Sequence, residues 1–470
     1  MYTGPLRDQR GRIGGRVLTA DERRALLGEA IDHGDSAAIT EALRLIDEAG
    51  DDPAEYINAL SQHDLQRFAR ALGAEEVGDL LGEIDPTDAA EVLERLPVAD
   101  AADVLEAMEP DEAADVVGEI VPATANEIMV AMEPLEAEEL RELLAYPPDT
   151  AGGRMTPAYV SVSPELRADQ AVVALRRVAE EAETINYIYV QGSDERLLGV
   201  LSLRNLVLTP PESRVRDLMI GDVLVVRATA DQEEAARLLN EHDLLALPVV
   251  DDEGRLLGII TADDVADILE QEATEDIERL GGSQPLDEPY LRATPFLLWR
   301  RRVPWLLTLF VAEAYTGTVL RHFEHELSNA VALAFFIPLL IGTGGNVGSQ
   351  TVTMLVRAMG LGQVRFRDLF RILRKELLTG VMLAAVLAVV TFARAMTLDV
   401  GFDMGAVVAV SVVLIVIWAA LVAAVLPLIL QKLRVDPAVV SAPFITTLVD
   451  GTGLVIYFTV ARMILHIPNA

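Results

Sequence analysis

Five long apolar stretches fill the C-terminal part of the chain, and they restrict its fold more than any other feature. They run over about 303–323, 329–358, 376–397, 405–429 and 439–467. Each is long enough to cross a hydrocarbon core, which takes about 20 residues as a helix. In lipid every backbone amide and carbonyl needs an internal partner, so five membrane helices are predicted. Basic residues gather at alternate ends. Arg300, Arg301 and Arg302 precede the first stretch. Arg357, Arg365, Arg367, Arg371, Arg374 and Lys375 lie between the second and third, and Lys432 and Arg434 precede the fifth. The connections at 321–328 and 394–404 are poorer in positive charge. The positive-inside rule then puts the N-terminal half in the cytoplasm and the C-terminus, Ala470, outside.

The rest of the chain is strongly acidic. Residues 1–290 hold 23 Arg and Lys against 64 Asp and Glu, a net of −41; residues 291–470 hold 15 against 9, a net of +6. Such a body repels nucleic acid and anionic lipid and attracts cations. A generally acidic, salt-adapted proteome is the plainer source of the same charge. Cysteine is absent, which excludes disulfides and thiolate metal sites and leaves the redox compartment open. The N-terminus carries basic residues without an apolar core, so no signal peptide is expected.

Residues 1–20 read as a disordered tail, and 21–150 as a helical acidic domain. Within it Pro86, Pro97, Pro110, Pro122, Pro134 and Pro147 recur at nearly equal intervals, separated by runs such as AAEVLERL, AADVLEAM and AADVVGEI. Proline is accepted in the first turn of a helix and ends the preceding one, so the pattern predicts stacked short helices, a small α-solenoid. From 151 to 270 a mixed α/β unit occurs twice. LLGVLS in the first copy matches LLGIIT in the second, and Ala168-Asp169-Gln170 matches Ala230-Asp231-Gln232. This duplication resembles a cystathionine-β-synthase (CBS) pair. Residues 271–298 hold an acidic connecting helix, EQEATEDIERL, closed by Gly281-Gly282. The membrane domain occupies 299–470.

Two membrane stretches are interrupted by polar residues. In FIPLLIGTGGNVGSQTVTMLVR (336–357), Gly342, Asn346, Ser349 or Gln350, and Thr353 fall on one helical face. In lipid such a stripe faces protein or water. A small-residue packing seam is the plain alternative. In the fifth stretch Ala442, Thr446, Asp450, Gly453 and Tyr457 share a face. A carboxylate at a membrane helix centre costs about 2.5–3.5 kcal/mol on insertion scales, which makes Asp450 a candidate for attracting cations. Glu313, near the middle of the first stretch, reads either in the same way or as a hydrogen-bonding group between helices. Oxygen donors without Cys or intramembrane His disfavour zinc and copper. A path with few carboxylates suits a largely hydrated Mg²⁺ better than a tight Ca²⁺ cage, and separates Mg²⁺ from Mn²⁺ poorly.

On these motifs the chain resembles the MgtE family of magnesium channels and transporters over nearly its whole length. ALAFFIPLLIGTGGNVGSQT is similar to the family's second-span signature, DPAVVSAPFITTLVDGTGLVIYF to its fifth, and EATEDIERL to its connecting plug helix. The resemblance implies that Asp450 binds the permeant Mg²⁺, with Gly345 and Asn346 on the second-span wall, and that the protein is a homodimer in the cell membrane. It also implies that cytosolic Mg²⁺ closes the path through Asp111 and Asp115 of the helical domain, Asp243, Asp264 and Asp267 of the CBS pair, and Glu275 and Asp276 of the plug helix. No catalytic residues are implied; HExxH is absent, and His322, His325 and Glu326 do not make it. A carrier for Mg²⁺, Mn²⁺ or Co²⁺ coupled to protons or sodium is the rival. CBS pairs often bind adenine nucleotides through a Ser/Thr-x-x-Asp pattern, so Thr261 and Asp264 are candidates for ATP, a duty Asp264 would share with the metal. Gly451, where many members carry a bulkier residue, is expected to loosen the helix beside Asp450.

Overall fold

The computed structural model describes residues 12–13, 16–179, 182–286, 290–433 and 435–466. Most of the expected disordered tail, together with Arg434 and Ala470, lies outside the described residues. Inside that tail's expected range, Arg12–Ile13 pairs with Arg16–Val17, and the first helix begins at Ala20. The chain divides into two compact units, residues 1–268 and 269–470.

The first unit opens with helices Ala20–His33, Ser36–Glu48, Pro53–Asn58, Gln62–Leu72 and Ala74–Gly82. Thr19 starts the first with a capping box to Glu22. Five ten-residue helices follow: Pro86–Arg95, Val98–Ala107, Pro110–Glu119, Pro122–Ala131 and Pro134–Leu143. Proline opens four of them and is the N-cap of the fifth, as the repeat requires. Each helix packs on the next but one, burying an i, i+3, i+4 stripe such as Ala101, Val104 and Leu105.

The duplicated α/β pattern gives two three-stranded sheets of one design. Ser161–Val162 runs parallel to Tyr187–Gln191, which pairs antiparallel with Leu197–Ser202. Val226–Arg227, Ala246–Val250 and Leu256–Thr261 repeat this order. Each central pair carries a register shift at its far end, at Val190/Gln191 and at Val249/Val250.

A helix then runs from Asp264 to Leu280 without interruption. The expected boundary at residue 270 therefore falls inside one helix. No Gly or Pro lies between 264 and 280, so nothing breaks it before Gly281 and Gly282, the latter at φ 77°.

Among the described residues the second unit holds five helices long and apolar enough to cross a membrane: span one Pro295–His322, span two Val331–Gly360, span three Phe366–Thr397, span four Phe402–Lys432 and span five Ala442–Leu465. Span two starts as a 3₁₀ segment, Val331–Phe336, and becomes α-helical at Ile337. Pro338 causes the change, because it lacks an N–H and its ring excludes a preceding α-turn. Spans two, four and five pack mutually, span three lies on span four, and span one lies on span five. Val412, Val416, Ala419, Ile445 and Val449 form much of the buried centre.

Candidate functional site

The polar stripe of span two separates into two faces. Gly342, Asn346, Gln350 and Thr353 are exposed along one side. Gly344, Gly345 and Gly348 are buried on the other, and there the packing-seam reading holds. A Cβ on Gly344 would lie 2.7 Å from both Ile415 and Val449; on Gly345, 2.8 Å from Thr446; on Gly348, 2.5 Å from Ile445. Gly345 thus stands on the contact with span five rather than on the exposed face with Asn346. Ser349 bridges the same contact, its hydroxyl 3.4 Å from both the Ala442 carbonyl and the Thr446 hydroxyl.

Asp450 is half-buried, and its Oδ1 is buried with no hydrogen-bond partner among the described residues. The face it shares is otherwise mostly packed. Gly453 lies on Ile415, and fully buried Tyr457 donates to the Leu333 carbonyl at 3.0 Å. Gly451 does not loosen the helix, which is continuous from Ala442 to Leu465. Its missing side chain admits span one instead: a Cβ would collide with the Tyr315 ring and sit 3.3 Å from Thr316 Oγ1.

Spans one and five run side by side in a constant register. Trp305 Nε1 donates to Ser441 Oγ at 3.1 Å, and the Tyr315 ring meets Gly451. Both pairs are 136 residues apart. That register sets Glu313 level with Val449, one residue from Asp450. Glu313 is exposed, and the hydrogen-bonding reading finds no partner for it among the described residues.

In the first unit, acidic side chains of the helical domain and the CBS pair converge. Burial, then the Asp264 charge, pushes Asp111 up to about 7, and its Oδ1 lacks a hydrogen-bond partner among the described residues. Burial and Glu109 push Glu112 up to about 8, and burial with Glu109 and Asp111 does the same to Glu183. Asp115 is also raised by burial, against the opposing Arg154 guanidinium 2.7 Å away. Asp264 accepts from the Thr261 amide and hydroxyl at 2.9 and 2.7 Å. Asp267 and Asp243 are exposed, and Asp243 has a left-handed φ of 50°. The sequence reading missed Glu109, Glu112, Glu183 and Arg154, because nothing local ties them to Asp264.

The second unit holds Glu275 and Asp276. Arg279, one turn along the same helix from Glu275, joins it to Asp436, the residue before Pro437. Burial and the nearby Asp436 push Asp276 up to about 6. Asp436 was also missed; its one signal is an Asp-Pro turn ahead of span five. Among the described residues no three His, Asp or Glu side chains converge closely enough to hold a metal in a finished cage.

A cavity of about 250 Å³ opens in the CBS pair, lined by Tyr187, Tyr189, Asp222, His242 and Pro248 among others. Thr261 and Asp264 are not in its wall.

A membrane domain with a partly buried carboxylate, fused to a helical repeat and a CBS pair, defines a regulated multi-span transporter. Comparison with known proteins agrees. A family profile described as divalent cation transporter, MgtE, matches residues 337–460; the MgtE intracellular N domain matches 50–149, and a CBS domain 215–271. The magnesium transporter MgtE of Thermus thermophilus is 46% identical over 332 residues, covering 70% of this chain and 73% of that one. The Bacillus subtilis magnesium transporter MgtE is 38% identical over 324 residues, 69% and 71% of the two chains. A solved cytosolic domain of the Mg²⁺ channel MgtE in complex with ATP is 36% identical; the match covers 52% of this chain and 99% of that one, with TM-score 0.47. The chain belongs to the MgtE family.

Proposed function

We propose that the chain carries Mg²⁺ into the cell through its five-span domain, as a homodimer in the cell membrane with its N-terminal half in the cytoplasm. Asp450 carries the reading. Among the described residues its Oδ1 is buried without any partner, a placement that packing alone disfavours and that a permeant cation would offset. Exposed Asn346 and Gln350 on span two offer neutral oxygens of the kind a partly hydrated Mg²⁺ accepts.

Closure belongs to the acidic body. Cytosolic Mg²⁺ would bridge Asp111, Asp115, Asp264 and Asp267 in the first unit, with Asp243 as a peripheral member, and Glu275, Asp276 and Asp436 in the second. The continuous helix Asp264–Leu280 links the two sets. An adenine nucleotide such as ATP fits the tyrosine-lined cavity of the CBS pair better than the Thr261–Asp264 pair, whose polar atoms already bond each other.

The test is flux of Mg²⁺, Mn²⁺, Ca²⁺ and Ni²⁺ into liposomes containing the full chain. Asp450→Ala should abolish Mg²⁺ flux while the protein still inserts and elutes as a dimer, and Asn346→Leu should block by placing an apolar side chain in the path. Wild-type flux in Asp450→Ala would remove this carboxylate from the mechanism. Rates no faster than a coupled carrier's, and dependent on a proton or sodium gradient, would favour the carrier reading.

A further inference from the structure

Glu313 is absorbed by nothing described so far. It is a carboxylate within span one, exposed, with no hydrogen bond or ion pair among the described residues. The constant register of spans one and five sets it one residue, or about 1.5 Å of helix rise, from the level of Asp450. One turn further along span one is Thr316. Thr316 is only 8% exposed, and its hydroxyl has no partner among the described residues. Helical threonines in lipid ordinarily donate to the carbonyl four residues back, and Thr308 and Thr318 on this same span do so, to Pro304 and Ala314 at 2.9 and 3.1 Å. Thr316 instead holds its hydroxyl toward the backbone of Gly451, next to Asp450. Three oxygen groups without partners among the described residues, on two packed helices and within about one helical turn of each other, offer the oxygen donors a hard cation requires.

We propose that Glu313 and Thr316 complete, with Asp450, an oxygen-lined divalent cation site within one protomer, and that Glu313 sets which dications the path prefers. The inference rests on the reading of Asp450 as part of the ion path. Two carboxylates at one depth repel each other unless a cation lies between them. A second negative ligand binds a dication more tightly and replaces more of its water than one carboxylate does. Mg²⁺ sheds water reluctantly, so the second charge shifts preference toward Mn²⁺ and Ca²⁺, which dehydrate more readily.

The experiment is concentration-dependent uptake of Mg²⁺, Mn²⁺ and Ca²⁺ by liposomes containing the full chain. Glu313→Gln should raise the half-saturating concentration by roughly tenfold, the scale on which ligand charge count tunes such sites, and shift the Mn²⁺/Mg²⁺ and Ca²⁺/Mg²⁺ ratios toward Mg²⁺. Thr316→Val keeps the shape and removes the hydroxyl; it should move half-saturation in the same direction, while Thr318→Val should not. Wild-type half-saturation and ratios in Glu313→Gln would overturn the proposal. If Glu313→Gln does not fold, Thr316→Val decides alone, since an unpaired hydroxyl serving only packing is replaced by a methyl without any change in half-saturation. Loss of flux in Asp450→Asn beside wild-type behaviour in Glu313→Gln would sink this inference and leave the ion path standing. Intact flux in Asp450→Asn would sink both.

Discussion

At Gly348 an added methyl would press on Ile445 at 2.5 Å, inside a buried contact, whereas at Gly342 it would meet nothing within 4 Å. The two glycines are neighbours in one motif and differ in what they do. Gly348→Ala should lower the stability of the purified protein by about 1–3 kcal/mol, the usual cost of overpacking, and Gly342→Ala should be close to neutral. Thermal melts of the two variants side by side would show it; equal melting temperatures would mean that span five shifts freely to make room. The motif shows what sequence can and cannot convey at this scale. Helical spacing alone put Gly342, Asn346 and Thr353 on one side, and the structure exposes that side. Spacing says nothing of what lies opposite, so the contacts of Gly344 with Ile415 and of Gly451 with Tyr315 were not legible. The expectation that Gly451 loosens its helix followed from considering that helix without its neighbour.

Elements were easier to read where they repeat. The proline interval and the doubled LLG motif each state one unit several times, so the short-helix stack and the paired sheets followed from pattern. The acidic centre between Asp111 and Asp264 depends on packing between elements distant in sequence, and only part of it was visible. It carries a pH dependence. Asp111 is held at about 7, and Glu112 and Glu183 at about 8, by burial first and neighbouring carboxylates second, against about 4 for such groups in an unfolded chain. A carboxylate whose value is raised by folding stabilises the folded arrangement below its unfolded value, and that contribution is lost as pH rises through the folded value. With divalent ions chelated, the first unit of the full chain should therefore loosen as pH climbs from about 5 to above 8. Millimolar-range Mg²⁺ should flatten that slope by taking the place of the protons. Hydrogen exchange in Pro110–Glu119 would report it, and pH-independent protection in chelator would show that these carboxylates are relieved in another way.

On the scale of the whole molecule the charge is divided, −41 over residues 1–290 and +6 over 291–470. That division and the five apolar stretches were plain in the sequence because composition needs no geometry. Gating is where the division acts. In the gating proposed above, the carboxylates of the acidic body would repel one another without cations and draw together with Mg²⁺. Moving a two-state equilibrium from 1:99 to 99:1 takes about 5.5 kcal/mol of differential binding. One partly exposed site does not supply that, and no preformed cage is found among the described residues, so several weak sites must act together and closure should depend steeply on Mg²⁺. In patches or oriented liposomes, Mg²⁺ on the side of the acidic body should close the path, and Mg²⁺ on the other side should only permeate; the reverse sidedness would overturn the topology. Neutralising Asp111, Asp115, Asp264 and Asp267 together should leave a protein that conducts and no longer closes. Normal Mg²⁺ closure in that variant would place the sensor elsewhere, with Glu275, Asp276 and Asp436 next in line. A permanently shut variant would mean that repulsion among these four had been holding the path open, so that removing their charge imitates the bound ion.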